Sequence, residues 1–375
     1  MRKWLFSTIA VLLILSMVLV ACGATEAPAP TEAAPEPTEA APEPTEAAPE
    51  PTEPTTTEEG ILRVGMVSDV GGVDDASFNQ NTWEGLVRAR DELGISATFI
   101  ESQAQADYEP NITELAEQGF DLIFTVGYLL GEDTGQMAPL YPDLKFAGID
   151  QWFDPPIDNV VAITFAVDQA SFPIGYLAAG WAVLQDPDDP HVGYVAGMEI
   201  PPVQQFIVAY EAGVAYYNEQ KGTDVQVSGV YVGSFEATDD GKIQGNSLID
   251  EGVDVIFGVG GKTGNGGLAA AKERGVWGVG VDVDQYYTLP NEQDILITSC
   301  QKRLDNAVYA VVEQTLAGEF PGGGIYEGTL ENGGVGLAPY HAFEDDIPAE
   351  LTAEVEAIIQ GIIDGTIPTG WPLEE

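Results

Sequence analysis

Leu62-Arg63-Val64-Gly65-Met66-Val67 is a short, mostly apolar run followed by Ser68-Asp69, and it reads as a buried strand. A helix is expected over Trp83 to Leu93, a strand over Ser96 to Ile100, a helix over Ile112 to Gln118, and strands at Leu122 to Val126 and Phe146 to Ile149. The rhythm restarts after Tyr176-Leu177-Ala178-Ala179-Gly180, with strand His191 to Val195, helix Val203 to Tyr217, strand Val225 to Tyr231 and a helix from Asp239 to Ile249. Strand Val253 to Phe257, helix Gly267 to Glu273 and strand Val276 to Val281 complete the second set, and a last helix falls around Ala349 to Asp364. Apolar, β-branched strands separated by helices imply parallel sheets covered on both faces. Residues 61–375 exceed what one hydrophobic core usually organises, so the expected fold is α/β with two doubly wound parallel-sheet lobes joined by a hinge. Crossings expected near Ala166, Thr298 and Pro321 assign residues 61–165 plus 298–320 to the first lobe and 166–297 plus 321–375 to the second.

Ligands of open α/β sheets lie beyond the carboxyl ends of the strands. In the first lobe those exits carry Asp69, Gly127-Tyr128 and Asp150; in the second they carry Gly197, Gly233-Ser234-Phe235, Gly260-Gly261 and Asp282. Polar, aromatic and glycine residues thus recur at strand exits in both lobes, which points to a binding cleft between them. Loops favour the same residue types, so the pattern is suggestive rather than specific.

The N-terminal segment gives an address. Arg2 and Lys3 precede an apolar run from Trp4 to Val20, which ends in Leu19-Val20-Ala21-Cys22-Gly23. A positive start, a short apolar core and a small-residue cleavage site mark a secretory signal over residues 1–21. The cysteine directly after Leu-Val-Ala resembles a lipobox, with Cys22 as the lipid-bearing residue. The alternative is an uncleaved anchor, for which about 17 residues is the lower limit; either way the remainder lies outside the membrane. Residues 22–60 form a tether of Pro, Thr, Glu and Ala, with Pro-Thr-Glu-Ala-Ala-Pro-Glu repeated from Pro30, Pro37 and Pro44. Proline in each copy forbids a coiled coil, and the segment has too little to bury to offset its ordering entropy. In polyproline conformation its upper reach is about 110 Å.

A net charge of −48, from 61 acidic against 13 basic residues, repels nucleic acid and anionic lipid headgroups, so neither is an expected partner. Catalytic signatures are also lacking. Gly261-Lys262-Thr263 has the end of a phosphate loop, but Ile256 stands where its first glycine is required. No Gly-x-Ser-x-Gly, His-Glu-x-x-His or paired-cysteine site occurs, and the only histidines are His191 and His341. Asp282 and Asp284 are spaced like the start of a calcium loop whose remaining ligands are missing, so no metal or cofactor is expected. Cys300, left without a partner once Cys22 carries lipid, reads as a small buried hydrophobe.

Several segments together resemble a known family. Asp69-Val70-Gly71-Gly72-Val73-Asp74-Asp75-Ala76-Ser77-Phe78-Asn79-Gln80 followed by Trp83-Glu84-Gly85 is similar to the N-terminal signature of the basic membrane protein family of substrate-binding lipoproteins. Tyr176 to Gly180, Gly233-Ser234-Phe235, Gly252 to Phe257, Gly280-Val281-Asp282-Val283-Asp284-Gln285 and Thr298 to Asp305 match further, in family order. The resemblance implies a type I periplasmic-binding-protein fold, a monomer serving the permease of an ABC importer, and a purine nucleoside as ligand. By position it implies that Phe78 and Phe235 sandwich the base, that Asp69 and Asp150 read the base edge, and that Gly261, Asp282 and Lys302 hold the ribose. A sugar or signal-molecule binder of the same fold and a nucleoside-processing enzyme stand as alternatives.

Each residue has a plainer reading. Phe78 and Phe235 could be core, Lys302 could lie on the exposed face of the next helix, and Asp74 and Asp75 suit caps for a helix starting near Ser77 to Asn79. Two positions depart from the family pattern: Tyr128, where phenylalanine is usual, and Lys262 in the glycine loop. Both are expected at the cleft mouth.

Overall fold

The alternation of strands and helices resolves, in a computed structural model whose described residues are 60–372, into two six-stranded sheets. The signal segment, Cys22 and the tether up to residue 59 lie outside the described residues. The first lobe is built from β1 (Arg63–Val67), α1 (Phe78–Leu93), β2 (Ser96–Ile100), α2 (Tyr108–Glu117), β3 (Leu122–Val126), α3 (Gly131–Met137), β4 (Lys145–Ile149) and β5 (Val160–Phe165). The second follows with α4 (Val167–Gln185), β6 (His191–Ala196), α5 (Pro201–Lys221), β7 (Gln226–Tyr231), α6 (Thr238–Asp250), β8 (Val255–Val259), α7 (Gly261–Arg274), β9 (Trp277–Asp282), α8 (Gln285–Thr288) and β10 (Leu296–Lys302). Then come α9 (Leu304–Leu316), β11 (Ile325–Gly328), β12 (Val335–Leu337) and α10 (Ala349–Ile363).

The sheets run β2-β1-β3-β4-β5-β11 and β7-β6-β8-β9-β10-β12, so the two lobes repeat one strand order. All pairings are parallel except β12, which runs antiparallel to β10. Burial explains why these runs are strands: β3 and β8 are buried at every position, as expected of central strands covered by helices on both faces, whereas the edge strand β7 has no buried position. In each sheet the order reverses between the first and third strands, β1 and β3 or β6 and β8, which opens a crevice at their carboxyl ends. This is the doubly wound, type I periplasmic-binding-protein architecture.

Helix α4 is buried over most of its length and packs along α5. The contact is between backbones. A Cβ on Gly175 of α4 would lie 2.0 Å from the Tyr210 carbonyl oxygen, and one on Gly213 of α5 would lie 2.0 Å from that of Phe172. Among the described residues no helix is long and apolar enough to cross a membrane.

The chain passes from the first sheet to the second between Phe165 and Val167. The other two crossings differ from those expected near Thr298 and Pro321. Strand β10 pairs with β9 from Leu296 to Gln301 and with β12 through Lys302, so residues 298–302 belong to the second sheet. Strand β11 pairs with β5 through Gly328, so residues 321–328 stay with the first. The crossings therefore fall at Arg303 and between Gly328 and Val335. The reason is that β10 continues a parallel ladder, an interaction with no local mark, while β11 is four residues long with Ile325 70% exposed and so has no buried run to read. Helix α9 does return to the first lobe, where it packs on α1 and Arg88 bonds Asn306 at 3.1 Å.

Candidate functional site

The carboxyl ends of the two sheets face each other across a cavity. Asp69, Phe78, Asp150, Phe235, Gly261, Asp282 and Lys302 all line it.

Asp69 follows β1 and is buried. One carboxylate oxygen accepts the Gly71 N–H at 2.9 Å and the Asn79 amide at 2.8 Å. Burial nonetheless pushes its pKa up to about 6, with the Asn79 and Gly71 bonds opposing the rise. Asp150 follows β4 and Asp282 ends β9, at equivalent places in the two sheets, and both adopt left-handed backbone, with φ of 58° and 63°. That conformation costs a non-glycine residue about 1 kcal/mol or more, least for Asp and Asn. A buried glutamine backs each turn: Gln151 donates to the carbonyls of Thr125 and Gly127 at 3.0 Å, and Gln285 accepts the Val281 N–H at 3.0 Å.

Lys302, the last residue of β10, is 2% exposed rather than displayed on a helix face. Its ammonium meets Asp150 Oδ2 at 2.5 Å, an ion pair between the lobes, and stands 4.9, 5.2 and 5.9 Å from the ring centres of Phe78, Phe165 and Phe206. Asp282 accepts a hydrogen bond from the Ser77 hydroxyl; burial pushes its pKa up to about 6 although the nearby Lys302 charge lowers it.

Phe78 opens α1 and Phe235 follows β7, so the two rings come from different lobes. Both also pack against the core while lining the cavity, so the core and cavity readings hold together. Gly197 makes room for Phe235, since a Cβ there would lie 2.4 Å from its ring.

Asp75 caps α1, accepting the N–H groups of Ser77, Asn79 and Gln80 at 3.0, 2.9 and 3.1 Å, and it also lines the cavity. Burial pushes its pKa up to about 6. Asp74, expected as a second cap, instead pairs with Lys262 at 2.7 Å, because one carboxylate already takes the free N–H groups and the next residue back faces the other lobe's α7. Lys262 sits 3.4 Å from Glu236 as well. Asn265 donates to the Asp75 carbonyl at 2.8 Å, and Thr288 and Gln285 donate to the Ala76 carbonyl at 2.9 and 3.3 Å. The second lobe therefore grips the segment between β1 and α1, and the lobes are closed. Tyr128 lines the cavity and leans on the half-exposed Trp152 at 5.5 Å.

The strand-exit rule did not single out Asn79, Phe206 or Ile200, which also line the cavity. Asn79 sits inside the quoted signature beside Phe78. Ile200 and Phe206 belong to the loop and first turns after β6, where extending the rule past Gly197 would have found them. Cys300 is a buried free thiol on β10, its pKa raised by burial.

Two closed α/β lobes with aromatics, carboxylates and one ammonium converging at their strand ends define a two-lobed solute-binding protein. Residues 62–366 match the family model described as Bmp, ABC transporter substrate-binding protein PnrA-like. The chain belongs to this family of ABC transporter substrate-binding proteins. It is 33% identical to a lipoprotein of Pyrococcus furiosus over 289 residues, covering 75% of this chain and 71% of that one. It is 30% identical to the ABC transporter nucleoside-binding protein BmpA of Lactococcus lactis over 294 residues, covering 74% and 81%. Among solved structures, an ABC transporter solute-binding protein from Aeropyrum pernix matches with a TM-score of 0.77 and 32% identity, covering 82% of this chain and 92% of that one.

Proposed function

We propose that the chain is an extracytoplasmic, lipid-anchored carrier that binds a purine nucleoside between its lobes and delivers it, as a monomer and without chemical change, to an ABC permease. The observation that carries this reading is that Phe78 and Phe235, from opposite lobes, line one cavity together with buried carboxylates and Lys302. Aromatic faces supply a large contact area for a planar base at little entropy cost, and charged groups suit ribose hydroxyls through charge-assisted hydrogen bonds. The roles follow the positions: Phe78 and Phe235 stack on the base, Asp69 and Asp150 meet its edge, and Gly261, Asp282 and Lys302 hold the sugar. The nucleoside-binding Lactococcus relative and the Pyrococcus lipoprotein support ligand class and anchoring respectively. Cys22 is the anchor in this reading, and the acidic tether lets the lobes sample solution before docking.

Calorimetric titration with nucleosides, free bases and sugars tests it. A purine nucleoside is expected to bind most tightly, and Phe78→Ala and Phe235→Ala are each expected to weaken it by about fivefold or more. Affinities within twofold of the parent would remove the stacking assignment, and tighter binding of a sugar would replace the ligand class. Release of free base from inosine or guanosine would make the chain an enzyme.

A further inference from the structure

Residues 234–237 lie between β7 and α6, so neither a strand nor a helix fixes the backbone on the two sides of the Phe235 ring. Thr263 does this instead. Its hydroxyl donates to the Ser234 carbonyl at 2.6 Å and accepts the Ala237 N–H at 3.0 Å, using both of the roles a hydroxyl offers. Its own N–H donates to the Phe235 carbonyl at 3.2 Å. One residue thus holds the loop before, at and after the ring. Thr263 is itself immobilised, because it lies in the first turn of α7 where a Cβ on Gly241 of α6 would come 2.1 Å from its carbonyl oxygen. The two helix backbones touch at that point. The ring has a matching seat: Cβ atoms on Gly197 and Gly260 would lie 2.4 and 3.2 Å from it, so it rests on bare backbone. Thr263 is fully buried and stands behind the residues that line the cavity, so it reaches a ligand only through the loop it holds.

We infer that Thr263 is a positioning residue for ligand binding: it clamps the loop after β7 so that the Phe235 ring is already in place when a planar ligand enters the cavity. The inference rests on the reading that Phe235 stacks on the ligand, and it adds the residue that makes the stack ready before binding. A ring on an unclamped loop has to be ordered at the moment of binding, and that entropy cost lowers affinity without removing any contact. The hydroxyl is the part that matters. Without it the Ser234 carbonyl and the Ala237 N–H lose their shared partner, and the loop is held by the Phe235 carbonyl alone on this side.

The test is calorimetric titration of the full chain, purified in detergent, with inosine and guanosine, alongside urea denaturation of each variant. Thr263→Val keeps the shape and removes the hydroxyl, and it is expected to weaken both nucleosides about fivefold or more. Thr263→Ser, which returns a hydroxyl, is expected to recover most of that loss. In a Phe235→Ala chain the ring is gone, so adding Thr263→Val is expected to change affinity by less than about twofold. A purely structural role would lower the urea midpoint and weaken binding equally with and without the ring. Thr263→Ala removes the same hydroxyl and takes the place of Thr263→Val should valine prevent folding. Affinity of Thr263→Val within about twofold of the parent, with Phe235→Ala about fivefold weaker, overturns the positioning role and leaves the stacking intact. Equal losses with and without the ring overturn it too. Phe235→Ala within about twofold of the parent overturns both readings, as does absence of binding by both nucleosides.

Discussion

Lys302 shows what a single residue does at the meeting of the lobes. Its ammonium is shut away from water, held by Asp150 and by the faces of three phenylalanines. Such a pair adds little net stability over an apolar replacement, but breaking it is costly because one charge is left buried alone. Lys302→Met is therefore expected to lower the unfolding free energy by about 3–5 kcal/mol in urea denaturation. Adding Asp150→Asn should restore most of the loss, since asparagine is neutral and tolerates the left-handed backbone at that position. A Lys302→Met chain as stable as the parent would overturn this account of the pair. The candidate residues were legible because each follows a strand or lies in a quoted motif. The orientation of Asn79 was not, since it is set by the carboxylates of Asp69 and Asp75 that its amide meets.

Among the elements, α4 and α5 carry the tightest constraint. Their backbones touch at Gly175 and Gly213, where a methyl group has no room. Gly213→Ala is expected to cost at least about 1–3 kcal/mol, despite the better helix propensity of alanine, because neither backbone can withdraw without disturbing the core. Chemical denaturation measures this, and an unchanged or higher midpoint would mean that the helices separate easily. Most central strands were legible from their apolar runs, as with β1, β3, β4, β6 and β9. Strand β5 was missed, although Val160-Val161-Ala162-Ile163 is as apolar as its neighbours, because no helix pattern separates it from β4. Strand β11 was missed because an exposed four-residue edge has no core face to show.

At the scale of the whole molecule, acidity and burial act together. Asp69, Asp75 and Asp282 are each pushed up to about 6 from an ordinary value of 3.8, chiefly by burial. Between these two values the folded chain holds more protons than the unfolded chain, so stability falls as pH rises through that window and levels off above it. Relief of self-repulsion in a chain of net charge −48 acts in the same direction on acidification. His191 opposes it, since burial lowers its pKa and its contribution is lost as pH falls through 6.5. Asp74 and Glu354, whose pKa values are lowered, oppose it too, but Asp133, Glu211, Asp254 and Glu292 are raised by burial and keep the balance on the side of acid. The thermal midpoint of the ligand-free chain is expected to be higher near pH 5 than near pH 7.5, with a smaller difference in Asp282→Asn. A midpoint that stays flat or drops on acidification would show that these groups are not held neutral by burial.

The sequence by itself determined the strand and helix rhythm, the presence of two similar lobes and the residues at their strand exits, because periodicity and turn chemistry are local properties of a chain. The tertiary structure alone decided where the chain crosses between lobes, since that depends on which strand β10 and β11 pair with across long separations. It also decided that Lys302 is enclosed, that Asp74 reaches Lys262 in the other lobe, and that the Asn79 amide oxygen is buried without a partner among the described residues. Each of these follows from contacts between residues distant in sequence, which no local pattern encodes.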